Sequence, residues 1–234
     1  NDARYSIARG IDPQEEKRKA TIKKPKFEEI WAMFDELYIA KSVKDKTAKD
    51  YRQIAAKNIL PKLGKRNLDE VERVEVVRLI DNVATRAPIL ANRTLGLLKQ
   101  FFDWTIGRGD IAMNPALGIP KAMKETPRER ILSLTEMRKI YSAACSLSPA
   151  NKLFIQMLLL TGQRAGVIAK LCRTEWLDDH LEIAGERNKS GERILVPLSA
   201  IAQKKLAEVG HSNGSFLVST TNGLKPISGF SKLK

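Results

Sequence analysis

Hydrophobic residues recur at helical spacing through the first half of the chain. Along residues 27–38 they fall at intervals of three and four, which predicts an amphipathic helix with one heavily apolar face. A basic segment at residues 41–49 leads into a second predicted helix that runs to about Lys57. Pro61 is expected to stop it, because proline lacks the amide donor that a helix interior needs.

Two further helices are predicted before residue 122. One starts within residues 67–71 and runs to about Ala84. The other opens at Pro88, carries a dense apolar face and stops at residues 107–109, where two glycines bracket an arginine. An extended exit follows, so residues 25–122 are predicted to form an all-helical domain.

The hydrophobic pattern restarts at Ser133. The sequence Ser133-Leu-Thr-Glu136 has the spacing of a capping box and predicts the start of a helix. Seven of the eight residues from 153 to 160 are apolar, so a second helix is expected to lie in a core. It ends at Gly162, Arg164 follows, and a further apolar helical turn begins directly behind.

After Trp176 the apolar period changes to two. Residues 180–183 and 194–196 are predicted to be short strands around a turn at 187–191. A helix over 199–209 and a strand over 215–219 complete the pattern. The predicted fold class is therefore mainly α with a small antiparallel β-sheet, in which an all-helical domain precedes an α+β domain.

Shifts in composition predict the domain boundaries. The charged segment 123–130 is predicted to be a linker between the helical domain (25–122) and the α+β domain (131–234). Residues 1–24 are predicted to be the end of a preceding helix and a basic linker. The sequence stops in mid-pattern at Lys234, so we expect it to be part of a longer protein.

The charge balance indicates a polyanionic partner. The net charge is +14 and the isoelectric point is near 9.8. Residues 1–125 carry 25 Lys and Arg against 18 Asp and Glu, and residues 126–234 carry 16 against 9, so each part contributes +7. Basicity spread over both parts favours nucleic acid. A basic protein without such a partner is the alternative.

Several classes of enzyme lack support in the residue inventory. Cys145 and Cys172 show no metal or redox spacing, and His180 and His211 are the only histidines. The sequence contains no phosphate-binding glycine loop, no distinctive Ser/His/Asp order and no apolar run near the length of a membrane span. We therefore expect no metal, no other cofactor and no membrane association.

Two basic residues stand at special places. Arg164 follows a strongly apolar helix, where a permanently charged guanidinium suits a phosphate. The alternative is an arginine that caps this helix or reaches solvent. Lys189 lies in the predicted turn between strands, where an ammonium near a phosphate can donate a proton to a leaving alkoxide. The alternative is a solvated turn lysine. Arg187 and Arg193 flank Lys189 and are candidates for holding phosphates.

The order of these features resembles the tyrosine recombinases, specifically the phage-type integrases. The strongest resemblance is LLLTGQRAG followed by LCRTEW and GERNKSGERILVPLS. FEEIWAMFDELY, ILPKLGKRNLDEV and ANRTLGLLKQFFDWTIGRGDIAMNP are similar to that family's core-binding domain. ARGIDPQEEKRKA is similar to the end of its arm-binding domain, and RILSLTEMRKI to the start of its catalytic domain.

The resemblance implies roles for two residues and shows two departures. The arginine of the family's TGxR motif, which contacts the scissile phosphate, corresponds to Arg164, and the hairpin lysine that protonates the 5′ oxygen corresponds to Lys189. The family usually carries an acidic residue three positions after that arginine, where this chain has Val167. Its later His-x-x-Arg motif and nucleophilic tyrosine have no counterpart, so none of these tyrosines is assigned as nucleophile: Tyr5, Tyr38, Tyr51 and Tyr141.

The family closes around duplex DNA with one domain on each face, which implies contacts from both. The candidates are basic and polar residues at helix starts, turns and polar helix faces: Lys44, Lys46, Thr47, Lys49, Arg52, Lys62, Lys65, Arg93 and Lys99, with Arg187 and Arg193 in the second domain. Each of them taken alone is more often a solvated polar or charged side chain than a DNA contact.

The predicted function is site-specific recombination that integrates a phage or genomic island. The protein is expected to act on double-stranded DNA in a bacterial cytoplasm and to self-assemble there, while the 234 residues alone bind DNA without cleaving it. One alternative is a catalytically inactive DNA-binding remnant or regulator derived from an integrase. Another is an unrelated helical protein-interaction domain.

Overall fold

A computed structural model describes residues 24–127, 129–188, 191–210 and 214–230. The chain divides into two compact units, Asn1–Pro127 and Arg128–Lys234. The division falls inside the segment 123–130 that is predicted as a linker, and the finer domain boundaries stay predictions. Residues 1–23 of the predicted first segment lie outside the described residues.

The first unit is built from helices joined by short turns. Its described elements are α1 (Phe27–Phe34) with a π-helical turn (Asp35–Ile39) and a last turn (Ala40–Ser42), α2 (Asp45–Ile54) with a π-helical turn (Ala55–Ile59) and a last turn (Leu60–Leu63), a 3₁₀ turn (Leu68–Glu70), α3 (Arg73–Ala84) and α4 (Pro88–Gly107).

Two boundaries predicted for this unit are wrong. Pro61 does not stop the second helix, because it stands at the start of the last turn, where a backbone donor is not required. The third helix begins at Arg73 and not within residues 67–71. Residues 68–70 close a 3₁₀ turn, and the Glu75 carboxylate then accepts a 3.0 Å hydrogen bond from the Glu72 amide, which caps the new helix.

An aromatic cluster between α1 and α4 forms the centre of the first unit. The ring of Phe101 lies 4.7 Å from that of Phe27 and 5.4 Å from those of Trp31 and Phe34, measured between centroids. All four side chains are buried. The apolar face predicted for the first helix is thus the surface that packs on α4, and it joins the first and last of the described helices of the unit.

The second unit combines helices with a small sheet. Its described elements are α5 (Leu134–Ala143), a 3₁₀ turn (Ala144–Ser146), α6 (Pro149–Thr161), α7 (Ala165–Ala169), a 3₁₀ turn (Arg173–Glu175), β1 (Trp176–Leu177), β2 (His180–Ile183), a 3₁₀ turn (Gly185–Arg187), β3 (Ile194–Pro197) and α8 (Ala200–Ala207). The predicted capping box is confirmed, since the Ser133 hydroxyl accepts from the Glu136 amide and the Glu136 carboxylate accepts from the Ser133 amide.

The sheet has the antiparallel order β1-β2-β3. Leu181 faces Val196, and Ile183 faces Ile194, in the register of β2 and β3. Leu181 and Ile183 are buried in the same apolar core as α6, α7 and α8. The predicted fold class, mainly α with a small antiparallel sheet, is confirmed.

Two expectations for the second unit are corrected. Residues 215–219 do not form a strand: Phe216 makes an isolated bridge to Cys172, and the Ser219 hydroxyl then accepts hydrogen bonds from the following backbone, which turns the chain. The helix over residues 153–160 is only partly enclosed. Leu153, Phe154 and Met157 are buried, whereas the leucines at 158–160 are half-buried.

Among the described residues, no helix is long and apolar enough to cross a membrane.

Truncation of Phe101 should destabilise the first unit selectively. Phe101→Ala removes a fully buried ring from the aromatic cluster and should lower the free energy of unfolding by about 3–5 kcal/mol. Urea denaturation followed through tryptophan fluorescence measures the change. Val74→Ala, at a 44% exposed position on α3, is the control and should change stability by less than about 0.5 kcal/mol. Equal losses in the two variants would contradict the central role of the cluster.

Candidate active site

Gly162, in a left-handed backbone conformation, ends α6 and redirects the chain toward the candidate site. Gly162 caps the helix with a φ of +63°, and its amide donates to the Leu158 carbonyl at 3.0 Å. Most residues with a side chain avoid this conformation, which explains why glycine follows Thr161. Arg164 then adopts extended backbone angles and occupies the cap position before α7. The threonine-glycine pair therefore places Arg164 between the two helices.

The Arg164 side chain is exposed but held at one nitrogen. Its Nη1 donates to the Oδ1 of Asn188 at 3.1 Å, across 24 residues of sequence. Asn188 is itself 2% exposed, and its Nδ2 donates to the Glu192 carbonyl at 3.0 Å. Buried amides of this kind need hydrogen-bond partners at both ends. The guanidinium of Arg164 thus bonds to the loop after β2. The helix-capping alternative would instead require a bond to the end of α6.

Arg187 fixes the same loop through contacts with Val167 and Glu175. Its Nη2 donates to the Val167 carbonyl at 3.0 Å, and its Nη1 forms an ion pair with Glu175. The two side chains are 24% and 12% exposed. Glu175 also accepts a 2.8 Å hydrogen bond from the Cys172 amide. One carboxylate and one guanidinium therefore join three separate segments of the second unit.

Val167 turns its side chain into the hydrophobic core. It is 7% exposed and packs in the cluster that includes Ile168 and Leu181. The position where related recombinases usually have a carboxylate is therefore apolar and enclosed in this chain. What position 167 offers to the site is its backbone carbonyl, which Arg187 uses.

The loop between β2 and β3 closes tightly around these contacts. A Cβ atom at Gly185 would collide with the carbonyl of Gly191, so the two backbones can approach only with glycine there.

Burial raises the pKa of the neighbouring Cys172 thiol, and the Glu175 carboxylate raises that pKa further. Lys189 lies outside the described residues, so its proposed role stays a prediction from the sequence.

Besides Arg52, which is also exposed, seven of the predicted DNA contacts are exposed on the first unit. Lys44 caps α2, and Lys46, Thr47 and Lys49 follow on its first turns. The others lie near the turn at Gly64 and on α4: Lys62, Lys65 and Arg93. Their exposure makes them available to a partner, and their contacts with DNA remain predicted.

The remaining predicted contacts have partners within the protein. Arg52 pairs with Asp35 at 2.8 Å, and the Lys99 ammonium donates to the Ile119 carbonyl at 2.9 Å. Arg193 pairs with Glu182 at 2.7 Å, where its side chain is 62% exposed. Arg187 is bonded to the Val167 carbonyl and paired with Glu175, as described above. Each of these four residues is held by a contact within its own unit, independently of any contact with DNA.

Asn188 and Glu175 are functional candidates that sequence reasoning missed. Asn188 stands directly before Lys189 within a turn-forming sequence, where asparagine is common for conformational reasons alone. Glu175 lies in the LCRTEW stretch, which carries part of the family resemblance but indicates no role for this carboxylate. Their importance lies in contacts with Arg164 and Arg187, and no local pattern signals such contacts. Among the described residues, no group of three or more side chains could hold a metal ion.

The sequence matches known integrases. Residues 27–122 match the phage integrase central domain family. The chain is 29% identical to the integrase of Escherichia phage HK022 over 170 residues, which are 71% of this chain and 46% of that protein. It is 30% identical to the prophage integrase IntE of Escherichia coli K12 over 139 residues, 58% of this chain and 36% of that protein. The chain thus spans less than half the length of these curated relatives.

The fold is similar to that of a solved integrase. A lambda integrase dimer (residues 75–356 of that protein) bound to a COC′ core site superposes with a TM-score of 0.73 at 22% identity, covering 87% of this chain and 76% of that chain. In sequence the chain is thus similar to phage and prophage integrases, and in fold it is similar to lambda integrase. The resemblance seen in the sequence is confirmed.

Removal of the Arg187 side-chain charge should destabilise the second unit. Arg187→Met leaves the Glu175 carboxylate largely enclosed without its cation, which should lower the free energy of unfolding by about 2–4 kcal/mol. Arg193→Met is the matched control, because the exposed pair with Glu182 should contribute less than about 1 kcal/mol. Thermal unfolding of both variants gives the comparison. Similar losses in the two variants would show that the Arg187 pair has no special structural role.

Proposed function

We propose that the protein containing this chain catalyses site-specific recombination of double-stranded DNA, of the kind that integrates a phage or genomic island. The observation that carries the proposal is Arg164. Its exposed guanidinium follows the TGQ sequence and is held by a buried amide on the residue before Lys189. A cation fixed before the reaction begins suits the negative charge that grows on a phosphate in the transition state.

In the proposed mechanism each basic residue has its own task. A tyrosine hydroxyl attacks the scissile phosphorus, forms a 3′-phosphotyrosyl bond and releases the 5′ oxygen. Arg164 stabilises the charge on the phosphoryl oxygens, and Lys189 donates the proton that the departing 5′ oxygen needs. Attack by the freed 5′ hydroxyl of another strand reverses these steps and reseals the DNA without ATP. The tyrosine is not assigned within these 234 residues.

Duplex DNA is the proposed partner, with both units in contact with it. The net charge of +14 is shared between the two parts of the sequence, and the exposed basic residues at the start of α2 suit phosphate contacts. A related fold is known from a lambda integrase dimer on a core site and a tetramer on a Holliday junction. We propose that this protein likewise self-assembles on DNA, in the cytoplasm of a bacterial host.

A second candidate is a DNA-binding protein that derives from an integrase and has lost catalysis. The buried Val167 favours it, since the carboxylate usual at this position in the family is absent. The gene sequence that follows the Lys234 codon separates the two candidates. A frame that encodes a His-x-x-Arg motif and a downstream tyrosine supports the enzyme, whereas an immediate stop codon supports the inactive protein.

The 234-residue chain should bind duplex DNA with a steep dependence on salt. Fluorescence anisotropy should show log K falling linearly with log salt concentration, by roughly 0.9 for each phosphate neutralised. Lys46→Glu combined with Lys49→Glu should weaken binding by about tenfold at low salt. Reversal of Lys139 and Lys204, two exposed lysines of the second unit, makes the same change in net charge and should weaken binding less. Affinity that does not respond to salt would contradict a DNA-binding role.

Arg164→Ala should remove cleavage while leaving DNA affinity nearly unchanged. Loss of this transition-state contact should raise the barrier by about 3–4 kcal/mol, a few hundredfold in rate or more. The test uses a cleavage-competent protein that contains this chain and a suicide DNA substrate that traps the covalent intermediate. Arg138→Ala, which removes an exposed arginine of the same unit, is the control. Undiminished cleavage by the Arg164 variant would rule out the proposed role.

A further inference from the structure

The Arg164 guanidinium needs an orienting group, and position 167 cannot supply one. An arginine side chain has many rotamers, so it presents its donors in one direction only when a neighbour holds it. The related recombinases usually have a carboxylate three residues after this arginine. In this chain that residue is Val167, whose side chain lies in the core, 7% exposed. The orienting contact must therefore come from elsewhere in the fold.

Asn188 provides such a contact from the opposite segment. Its Oδ1 accepts from Arg164 Nη1 at 3.1 Å, and its Nδ2 donates to the Glu192 carbonyl at 3.0 Å. The second hydrogen bond determines which end of the amide faces Arg164, because only the NH₂ end can donate to a carbonyl. With 2% exposure, the amide has little room to rotate. The acceptor is thus fixed before DNA arrives.

The loop that carries Asn188 is fixed in turn by its neighbour. The Arg187 side chain bonds to the Val167 carbonyl and pairs with Glu175. The backbone N–H of Asn188 donates to the Gly185 carbonyl at 3.0 Å. Backbone and side-chain contacts on both sides therefore set the position of Asn188. A displacement of about 1 Å in a catalytic group can lower a reaction rate by about a hundredfold, so this bracing matters for Arg164.

A neutral acceptor has a chemical consequence that a carboxylate lacks. The amide oxygen orients the guanidinium without cancelling its positive charge. A guanidinium has five N–H donors, and the bond to Asn188 uses one of them. The other donors can bind phosphoryl oxygens. Asn188 thus combines orientation with an undiminished charge at the site.

We infer that Asn188 is the positioning residue for Arg164 and takes the part of the carboxylate that is absent at position 167. The inference rests on the proposed function, in which Arg164 contacts the scissile phosphate. Because Asn188 and Lys189 are adjacent in sequence, the same loop segment would orient the arginine and carry the proton donor. Asn188 itself need not touch DNA.

The contact can be tested without any catalysis. In the 234-residue chain labelled with ¹⁵N-arginine, the held guanidinium of Arg164 should rotate slowly and give resolved Nη signals, assigned by their loss in Arg164→Lys. Asn188→Leu should merge these signals through fast rotation, whereas Asn188→Asp, which keeps an acceptor for Arg164 but loses the donor to the Glu192 carbonyl, should preserve them in part. Gln203→Leu removes a half-buried side-chain amide that also donates to a backbone carbonyl, and it should leave the Arg164 signals unchanged. Signals unaltered in Asn188→Leu would overturn the inference.

The catalytic consequence is tested in the cleavage-competent protein. Asn188→Leu should slow single-turnover cleavage by about 10- to 100-fold with DNA affinity within about twofold of the parent. Asn188→Asp should recover only part of the rate, because its carboxylate orients the guanidinium but offsets its charge. Asn188→Ser, which is too short to reach Arg164, should behave like Asn188→Leu and serves if the leucine variant does not fold. If Arg164→Ala is inactive while the Leu and Ser variants cleave normally, the inference fails and the proposed function stands. If Arg164→Ala cleaves normally, the proposed function itself fails.

Discussion

The ion pair between Arg187 and Glu175 is the contact on which the arrangement of the candidate site depends. Glu175 is bonded to the Cys172 backbone, and Arg187 is bonded to the Val167 carbonyl, so the pair joins the segment before the sheet, helix α7 and the loop after β2. With both side chains largely enclosed, separation of the charges would leave one of them poorly solvated. The loop therefore has one favourable position, and Asn188 lies in it beside Arg164.

The apolar residue at position 167 is compatible with this arrangement because the carbonyl and the side chain of Val167 serve different neighbours. The side chain fills the core below α7, while the carbonyl accepts from Arg187 on the site side. A carboxylate at that position would have to leave the core or be buried there at a high cost. The fold instead holds Arg164 through a neutral amide, 24 residues further along the chain.

The high net charge of the chain serves two purposes that composition does not separate. Some basic side chains stabilise the fold, as when Lys99 bonds to the Ile119 carbonyl and Arg52 pairs with Asp35. Others, such as Lys46 and Lys49, are exposed on α2 and are available to a polyanion. A charge count predicts the class of partner, but the contacts of each cation decide how many remain for it.

Sequence alone determined the features that depend on local periodicity and local chemistry. The amphipathic face of α1, the capping box at Ser133, the long helix from Pro88 and the pairing of the strands at 180–183 and 194–197 all follow from residues close together in the chain. So does the placement of Arg164 after a glycine turn, because a left-handed helix cap favours glycine. Where local signals compete, prediction failed: a π-helical turn precedes Pro61, and the Ser219 hydroxyl turns an apparent strand.

Only the tertiary structure decided how the site is held. The Arg187–Glu175 pair and the Arg164–Asn188 hydrogen bond link residues that are 12 and 24 positions apart, and the burial of Val167 depends on a shared core. Such contacts leave no periodic trace, because a hydrogen bond constrains two points in space and places no condition on the residues between them. Asn188 therefore appeared in the sequence as an ordinary turn residue, and its contact with Arg164 became visible only once α7 and the loop after β2 were brought together.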